Sequence, residues 1–384
     1  MDVSAVEAAR PAVVRIARRT PVLSSRAFSE RAGGDVVLKA ENLQRTGSFK
    51  VRGAAAKLEA LGDGCARGVV CASAGNHGQG VAAAAAARGV PCDVFVPMTA
   101  SIAKTEAIAS QGATVHRGGT AIEDCVVAAT QLADERGLAF VHPYDDEDII
   151  AGQGTLGLEL VEDVPELAKV VIPIGGGGLA AGTAVAIKAR RPEVELVGVR
   201  PGDATRTIAD GIAVKGRGAI TQPLLDALYD DVVVVGEDEI AEAMYLCLER
   251  AKLVVEGAGA VAVAALVGGQ ATCASRGQTV AVLSGGNVDA GLLAAVARRH
   301  ETEAGRRLVL MTRVPDRPGA LADLLACVAQ TDANIVDVSH VREGVDLHIR
   351  ETAVELVLET RGREHADGVL AALGGSGYET QVLR

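Results

Sequence analysis

Aromatic rings are scarce in this sequence. Tryptophan is absent, phenylalanine and tyrosine number four each, and the three types make up 2% of 384 residues. A core so short of rings must be filled by Ala, Val, Leu and Ile, which suits helices laid on a parallel sheet better than a sandwich stiffened by aromatics. A basic surplus is also missing: 38 Lys and Arg stand against 49 Asp and Glu, a net charge of −11. No nucleic-acid partner is expected, because there is no excess of cations to displace counterions from a phosphate backbone. The longest apolar runs, Val81–Ala87 and Ala258–Val267, are too short for a membrane span, so no membrane partner is expected. Met1–Arg19 mixes acids and arginines without the apolar block of a signal peptide. The seven cysteines show no CxxC or zinc-ligand spacing, and the histidines show no HExxH. The expectation is reduced core cysteines, no metal site and a cytoplasmic location.

The chain does have alternation. At 384 residues it exceeds what one core usually spans. Short β-branched runs (Val36–Lys39, Gly68–Ala72, Cys92–Val96, Thr114–Arg117, Val170–Ile174, Glu195–Val199, Val232–Val235, Val280–Ser284) are interleaved with alanine-rich helical stretches. The helices are expected over Val51–Leu61, Gly78–Arg88, Ser101–Gln111, Thr120–Glu135, Leu179–Arg190 and Glu237–Lys252. This rhythm implies parallel sheets with helices on both faces. A polar stretch, His300–Arg307, marks a boundary. Beyond it come Leu308–Val314, a helix from Arg317 to about Gln330, strands Ile335–Val341 and Ala353–Thr360, helix Arg363–Leu373 and strand Tyr378–Leu383. That order, βαββαβ, is ferredoxin-like.

Four segments carry chemistry. In Glu41–Lys50, a polar loop ends in Ser48, a plausible helix N-cap, and Lys50 falls in the first turn. A lysine there meets the positive end of the helix dipole, which lowers its pKa as a Schiff-base lysine requires; an exposed surface lysine is the plain alternative. Gly175–Gly178 follow a strand and open a helix, an anion cradle suited to phosphate. A Rossmann turn would want an acid at the end of the next strand; here that strand runs into Arg200, which leaves an NADP-type turn open. Ser284-Gly285-Gly286-Asn287 also ends a strand, where Ser284 can face a bound group. Ser73-Ala74-Gly75-Asn76-His77-Gly78 follows a strand and opens a helix, where backbone N–H groups can hold a carboxylate.

As a set these segments resemble the pyridoxal-phosphate enzymes of the tryptophan-synthase β (fold type II) class, and within it the threonine ammonia-lyases (threonine dehydratases). The resemblance extends through His142-Pro143-Tyr144-Asp145-Asp146, Ile150–Thr155, Thr207–Gly211 and Val255–Gly259, nearly the whole chain. The tail, with Asp316-Arg317-Pro318-Gly319-Ala320-Leu321, resembles an ACT regulatory domain. The resemblance implies a catalytic region over residues 1–304, made of two α/β subdomains with parallel or mixed sheets, the smaller (about 50–150) inserted in the larger, and an ACT-like region over 305–384.

The same resemblance implies roles. Lys50 would bind pyridoxal 5'-phosphate covalently and then act on the substrate Cα proton, with Phe49 against the ring. Gly175, Gly176, Gly177 and Gly178 would hold the phosphate, Asn76 the ring hydroxyl, and Ser284 would face the ring nitrogen. Ser73, Ala74, Gly75, Asn76 and His77 would bind the substrate carboxylate, and Glu256 is a further candidate to approach the site. The implied reaction is loss of water and ammonia from L-threonine or L-serine. Serine racemases share these motifs but place a serine where this chain has Ala74, which cannot exchange a proton. A 3-hydroxyaspartate ammonia-lyase is another activity of the scaffold. In the tail, Asp316, Gly319, Ala320, Asn334 and Ile335 are candidates for a branched-chain amino-acid effector site at a domain pairing, in a homodimer or homotetramer. One departure stands out: Arg200–Arg206 is short for the family, and Arg200 replaces an acidic or amide residue in a region that serves a cation site in some relatives.

Overall fold

The computed structural model describes residues 1–203, 206–214, 216, 218–343 and 347–383; Ala204 and Thr205 of the short connection after Arg200 thus lie outside the described residues. The chain divides into two compact units, Met1–Ala290 and Gly291–Arg384.

In the first unit the strands are β1 (Val22–Ser24), β2 (Val36–Ala40), β3 (Val69–Ala72), β4 (Cys92–Val96), β5 (Thr114–Arg117), β6 (Ala139–Phe140), β7 (Leu167–Pro173), β8 (Glu195–Pro201), β9 (Asp231–Val235) and β10 (Gln278–Leu283). The helices are α1 (Val3–Ile16), α2 (Arg26–Ala32), α3 (Lys50–Leu61), α4 (Asn76–Arg88), α5 (Ile102–Ser110), α6 (Ile122–Arg136), α7 (Glu147–Asp163), α8 (Gly178–Arg190), α9 (Thr221–Leu228), α10 (Glu237–Leu246) and α11 (Gly257–Val267).

One sheet has the order β1-β2-β10-β7-β8-β9, with β1 antiparallel to β2 and the other neighbours parallel. A second, parallel sheet has the order β5-β4-β3-β6. The central strands are continuous apolar runs because helices cover both faces: Val170, Val171 and Ile172 of β7 and Val280–Leu283 of β10 are all buried. Helix α11 is buried from Gly257 to Leu266, so it needs no polar side and carries none. Glycine permits the close crossing of α7 and α8, where a Cβ on Gly182 would stand 2.1 Å from the Ile150 carbonyl oxygen.

The second unit takes all but the first residue of α12 (Ala290–Glu303), followed by β11 (Arg307–Pro315), α13 (Ala320–Ala329), β12 (Asn334–Val341), β13 (Glu351–Glu359), α14 (Arg363–Gly375) and β14 (Thr380–Val382). The antiparallel sheet β12-β13-β11-β14 reproduces the expected ferredoxin-like order. The α/β class with parallel and mixed sheets is likewise as expected.

Several local expectations are corrected. Ser48 is not a helix cap: Phe49 holds that place, and Ser48 is fully buried and bridged to Gly285. The helix expected over Glu237–Lys252 loses its α register at Cys247–Ala251, a π turn that ends in Lys252 at φ 59°. The tail helix starts at Ala320 instead of Arg317, because Gly319 at φ +91° cannot continue a right-handed helix. The polar stretch from His300 is first the end of α12, where His300, Glu301 and Thr302 are half-buried and Glu303 is exposed.

Candidate active site

The site begins where neighbouring strands end. β2 and β10 lie side by side, and the loops beyond them are stitched together: the Phe49 amide donates to Ser284 O at 3.1 Å and the Gly286 amide to Gly47 O at 2.8 Å. This places Lys50, the first residue of α3, in one cavity with Ser284. β7 flanks β10 on its other side, so the Gly175–Gly178 turn opens onto the same cavity. Phe49 lines it too, with the Lys50 ammonium 5.3 Å from its ring centre. These three chain segments, far apart in sequence, meet here because parallel strands present their carboxyl ends together.

Lys50 Nζ donates to Pro143 O at 2.8 Å. Burial pulls its pKa from 10.5 down to about 8, against the opposing attraction of Glu256. The amine is therefore more readily neutral than an ordinary lysine, as a nucleophile must be. Ser284 is buried, and its hydroxyl reaches Ala258 O at 3.3 Å.

The glycine turn has no room for side chains. A Cβ on Gly176 would fall 2.2 Å from the Tyr144 ring, and one on Gly177 would meet Thr221 at 2.8 Å. Gly177 also caps α8 at φ +93°, in the left-handed region. Backbone N–H groups at a helix N-terminus, free of side chains, fit a phosphate. Beside them, Gln153 is buried with an Oε1 that has no hydrogen-bond partner, a polar atom left for a bound group. A lysine with a lowered pKa, an anion cradle and a neutral hydroxyl together fit pyridoxal phosphate. Among the described residues no cluster of three or more His, Cys, Asp or Glu is arranged to hold a metal ion.

Asn76 stands beside this cavity, and its orientation is fixed from two sides. Its Nδ2 donates to Glu256 Oε1 at 2.6 Å, and its Oδ1 accepts from Asn287 Nδ2 at 2.7 Å. Glu256 is buried, and burial followed by the nearby Asp210 raises its pKa from 4.5 to about 7. Within Ser73–His77, the Ser73 hydroxyl accepts from the Gly75 amide at 3.2 Å, Ala74 is half-buried, and α4 starts at Asn76. His77 turns away into the core, where its Nε2 meets Val141 O at 2.9 Å and burial pulls its pKa down to about 3. Its side chain is therefore neutral, and only its backbone is available to an anion.

Asn287, Asp145 and Gln153 lie within the quoted motifs but have no role on sequence grounds, and Thr221 lies outside all of them. Gln153, a buried amide between Gly152 and Gly154, carries a signal that could have found it; Asn287, Asp145 and Thr221 carry none, since their partners come from distant segments.

The tail candidates do not converge within one chain. Pro315 pairs with Glu351 at one end of β13, and Asn334 with Glu359 at the other. Eight residues of strand separate these ends by about 26 Å. Asp316 is paired with Arg342, Asn334 donates to Glu359, and Ile335 packs on the unit's own core.

Comparison with known proteins places residues 13–285 in the family described as pyridoxal-phosphate dependent enzyme. The chain is 45% identical to an L-threonine ammonia-lyase of Geobacter sulfurreducens, over 96% of each. It is 41% identical to an L-threonine ammonia-lyase of Thermotoga maritima, over 98% of each. Among solved structures, the processed form of threonine deaminase isoform 2 from Solanum lycopersicum matches with a TM-score of 0.72 and 31% identity, over 77% of this chain and 86% of that one. Maize serine racemase matches with a TM-score of 0.74 and 33% identity, over 79% and 98%.

Proposed function

We propose an L-threonine ammonia-lyase function for this chain, which belongs to the family of pyridoxal-phosphate dependent enzymes. The reaction is the conversion of L-threonine to 2-oxobutyrate and ammonia, a carbon–nitrogen lyase step. The observation that carries it is the buried Lys50 amine, in one cavity with the glycine turn and Ser284, in a chain matched end to end by two L-threonine ammonia-lyases.

When bound, pyridoxal phosphate supplies an electron sink conjugated to the substrate Cα. The residues then divide the work as follows. Gly175–Gly178 bind the phosphate through backbone N–H groups and the dipole of α8. Lys50 Nζ, with its lowered pKa, removes the Cα proton. Asn76, its amide oriented by Glu256 and Asn287, presents a remaining N–H to the ring hydroxyl. Ser284 would face the ring nitrogen with a neutral hydroxyl in place of a carboxylate. The Ser73–His77 turn holds the substrate carboxylate at the start of α4. Ala74 offers no proton to the opposite face of Cα, which favours elimination over racemisation.

The purified protein should absorb in the visible, and borohydride or Lys50→Ala should abolish the band. Incubation with L-threonine should release ammonia. A colourless protein that takes up no pyridoxal phosphate removes the reading. Formation of D-serine from L-serine without pyruvate would replace it with serine racemase, and ammonia from 3-hydroxyaspartate alone would replace it with that lyase.

The catalytic assignment covers residues 1–304, with a smaller subdomain over about 50–150, and residues 305–384 form an ACT-like regulatory region. Its support is the βαββαβ order and the glycine-opened helix at Gly319. A branched-chain amino acid is the proposed effector, bound by Asp316, Gly319 and Ala320 of one chain with Asn334 and Ile335 of another. That site needs a homo-oligomer, because one sheet holds its two halves at opposite ends. A cytoplasmic location completes the reading. Titration with isoleucine and valine should change activity or melting temperature; no change in either removes the effector.

A further inference from the structure

The glycine turn is held from behind by a device that none of its own residues supplies. The Thr221 hydroxyl donates to Gly176 O at 2.7 Å, and Thr221 is 1% exposed. In a trans peptide the C=O and the following N–H point in opposite directions. A hydroxyl fixed on Gly176 O therefore sends the Gly177 N–H the other way, away from Thr221. Gly175–Gly178 line the cavity and Thr221 does not, so the N–H lies on the cavity side of that peptide.

Thr221 is itself anchored. Asp145 accepts the Ala219 amide at 2.8 Å on Oδ2, and the Ile220 and Thr221 amides at 2.9 Å and 3.1 Å on Oδ1. These are the orphan donors at the start of α9, which lacks a side-chain cap of its own at Ile220. Burial opposes charge on Asp145, but the amides of Ile220, Thr221 and Ala219 outweigh it and hold the carboxyl below its usual range. Asp145 is anchored in turn: its own amide donates to His142 Nδ1 at 2.8 Å. The chain of contacts runs from the His142 turn through Asp145 to Thr221 and ends on the peptide that faces the cavity.

We infer that Thr221, set in place by Asp145, is a positioning residue that locks the Gly176–Gly177 peptide in its anion-binding orientation and so determines the affinity for a phosphate-bearing cofactor over its unphosphorylated form. This rests on the reading of Gly175–Gly178 as the phosphate site. Without the hydroxyl, Gly176 O loses its partner and the glycine peptide is free to turn its carbonyl into the cavity, where it repels an anion.

The test is a titration of the cofactor-stripped, full-length protein with pyridoxal phosphate and, separately, with pyridoxal. Thr221→Val keeps the shape and removes the donor; Thr221→Ser keeps the donor. The wild type should prefer pyridoxal phosphate strongly. Thr221→Val should lose about tenfold in affinity for pyridoxal phosphate, the value of one hydrogen bond, with its affinity for pyridoxal unchanged. Thr221→Ser should restore the preference. Equal weakening of both ligands by Thr221→Val, or an affinity for pyridoxal phosphate within about twofold of wild type, overturns the inference. A wild type that binds the two ligands alike shows instead that the glycine turn is no phosphate site, and the inference falls with that reading.

Discussion

Asn76 Nδ2 donates to Glu256 Oε1 at 2.6 Å, and this bond ties the first residue of α4 to the residue that precedes α11. The acceptor is unusual for a carboxylate, since burial and then Asp210 raise its pKa from 4.5 to about 7. The folded protein therefore holds a proton on Glu256 between pH 4.5 and pH 7 that the unfolded chain releases. Stability contributed by that proton is complete below pH 4.5 and is lost as pH rises through 7.

Glu256→Gln should thus gain stability relative to wild type as pH rises from about 5 to about 8, by on the order of 1–3 kcal/mol. Urea denaturation at both pH values checks the sign. The dependence of kcat/KM on pH near neutrality should also flatten in this variant, because glutamine accepts from Asn76 without titrating.

Lys50 shows the opposite linkage. Its pKa is lowered from 10.5 to about 8 by burial, so the unfolded chain binds the extra proton between those values. Its cost to stability is full below pH 8 and fades as pH approaches 10.5. The cofactor-free Lys50→Met protein should be more stable than cofactor-free wild type at pH 7 by on the order of 2 kcal/mol. The gap should close towards pH 10.5. A constant gap across that range would exclude titration of Lys50 as its origin.

Arg52, two residues beyond Lys50, lies at the centre of a buried ionic network. It donates to both oxygens of Glu41, at 2.8 and 2.7 Å, and to both oxygens of Glu159, at 2.7 and 3.0 Å. Lys39 Nζ joins Glu159 at 2.6 Å, and Thr20 also donates to Glu41. Arg52→Met should cost about 3–5 kcal/mol, since it strands carboxylates away from water. Adding Glu41→Gln should recover part of that loss in urea denaturation, because the stranded charge, more than the missing contact, sets the cost.

Gly182→Ala should destabilise by about 2–3 kcal/mol through backbone clash between α7 and α8, given the 2.1 Å approach to Ile150 O. Gly368→Ala is the control: it lies inside α14 with nothing within 4 Å of the added carbon. It should stabilise by up to about 1 kcal/mol through helix propensity. Thermal melts of the two variants against wild type separate the effects.

Much of the site was legible because its signals are local. A lysine at the start of a helix, four glycines between a strand and a helix, and a serine at a strand end each announce their place within a short stretch of sequence. Ser48 misleads for the same reason. A serine before a helix is a good cap in isolation, but the bridge to Gly285, far along the chain, buries it instead. The π turn at Cys247–Ala251 left no mark in the apolar periodicity, since an α-helix precedes it in the same pattern.

By itself, the sequence determined the alternation of strands and helices, the separate βαββαβ tail and the segments around Lys50, Gly175–Gly178 and Ser284 as candidates for one site. The physical reason is that periodicity, glycine and helix ends act over a few residues. Only the tertiary structure decided which polar groups meet: Asn76 with Glu256, Asp145 with the start of α9, Thr221 with Gly176, and Arg52 with Glu41 and Glu159. Those pairings are set by strand order and by which chain segments are buried together, and a buried charge or hydroxyl has a role only once its partner has been brought to it.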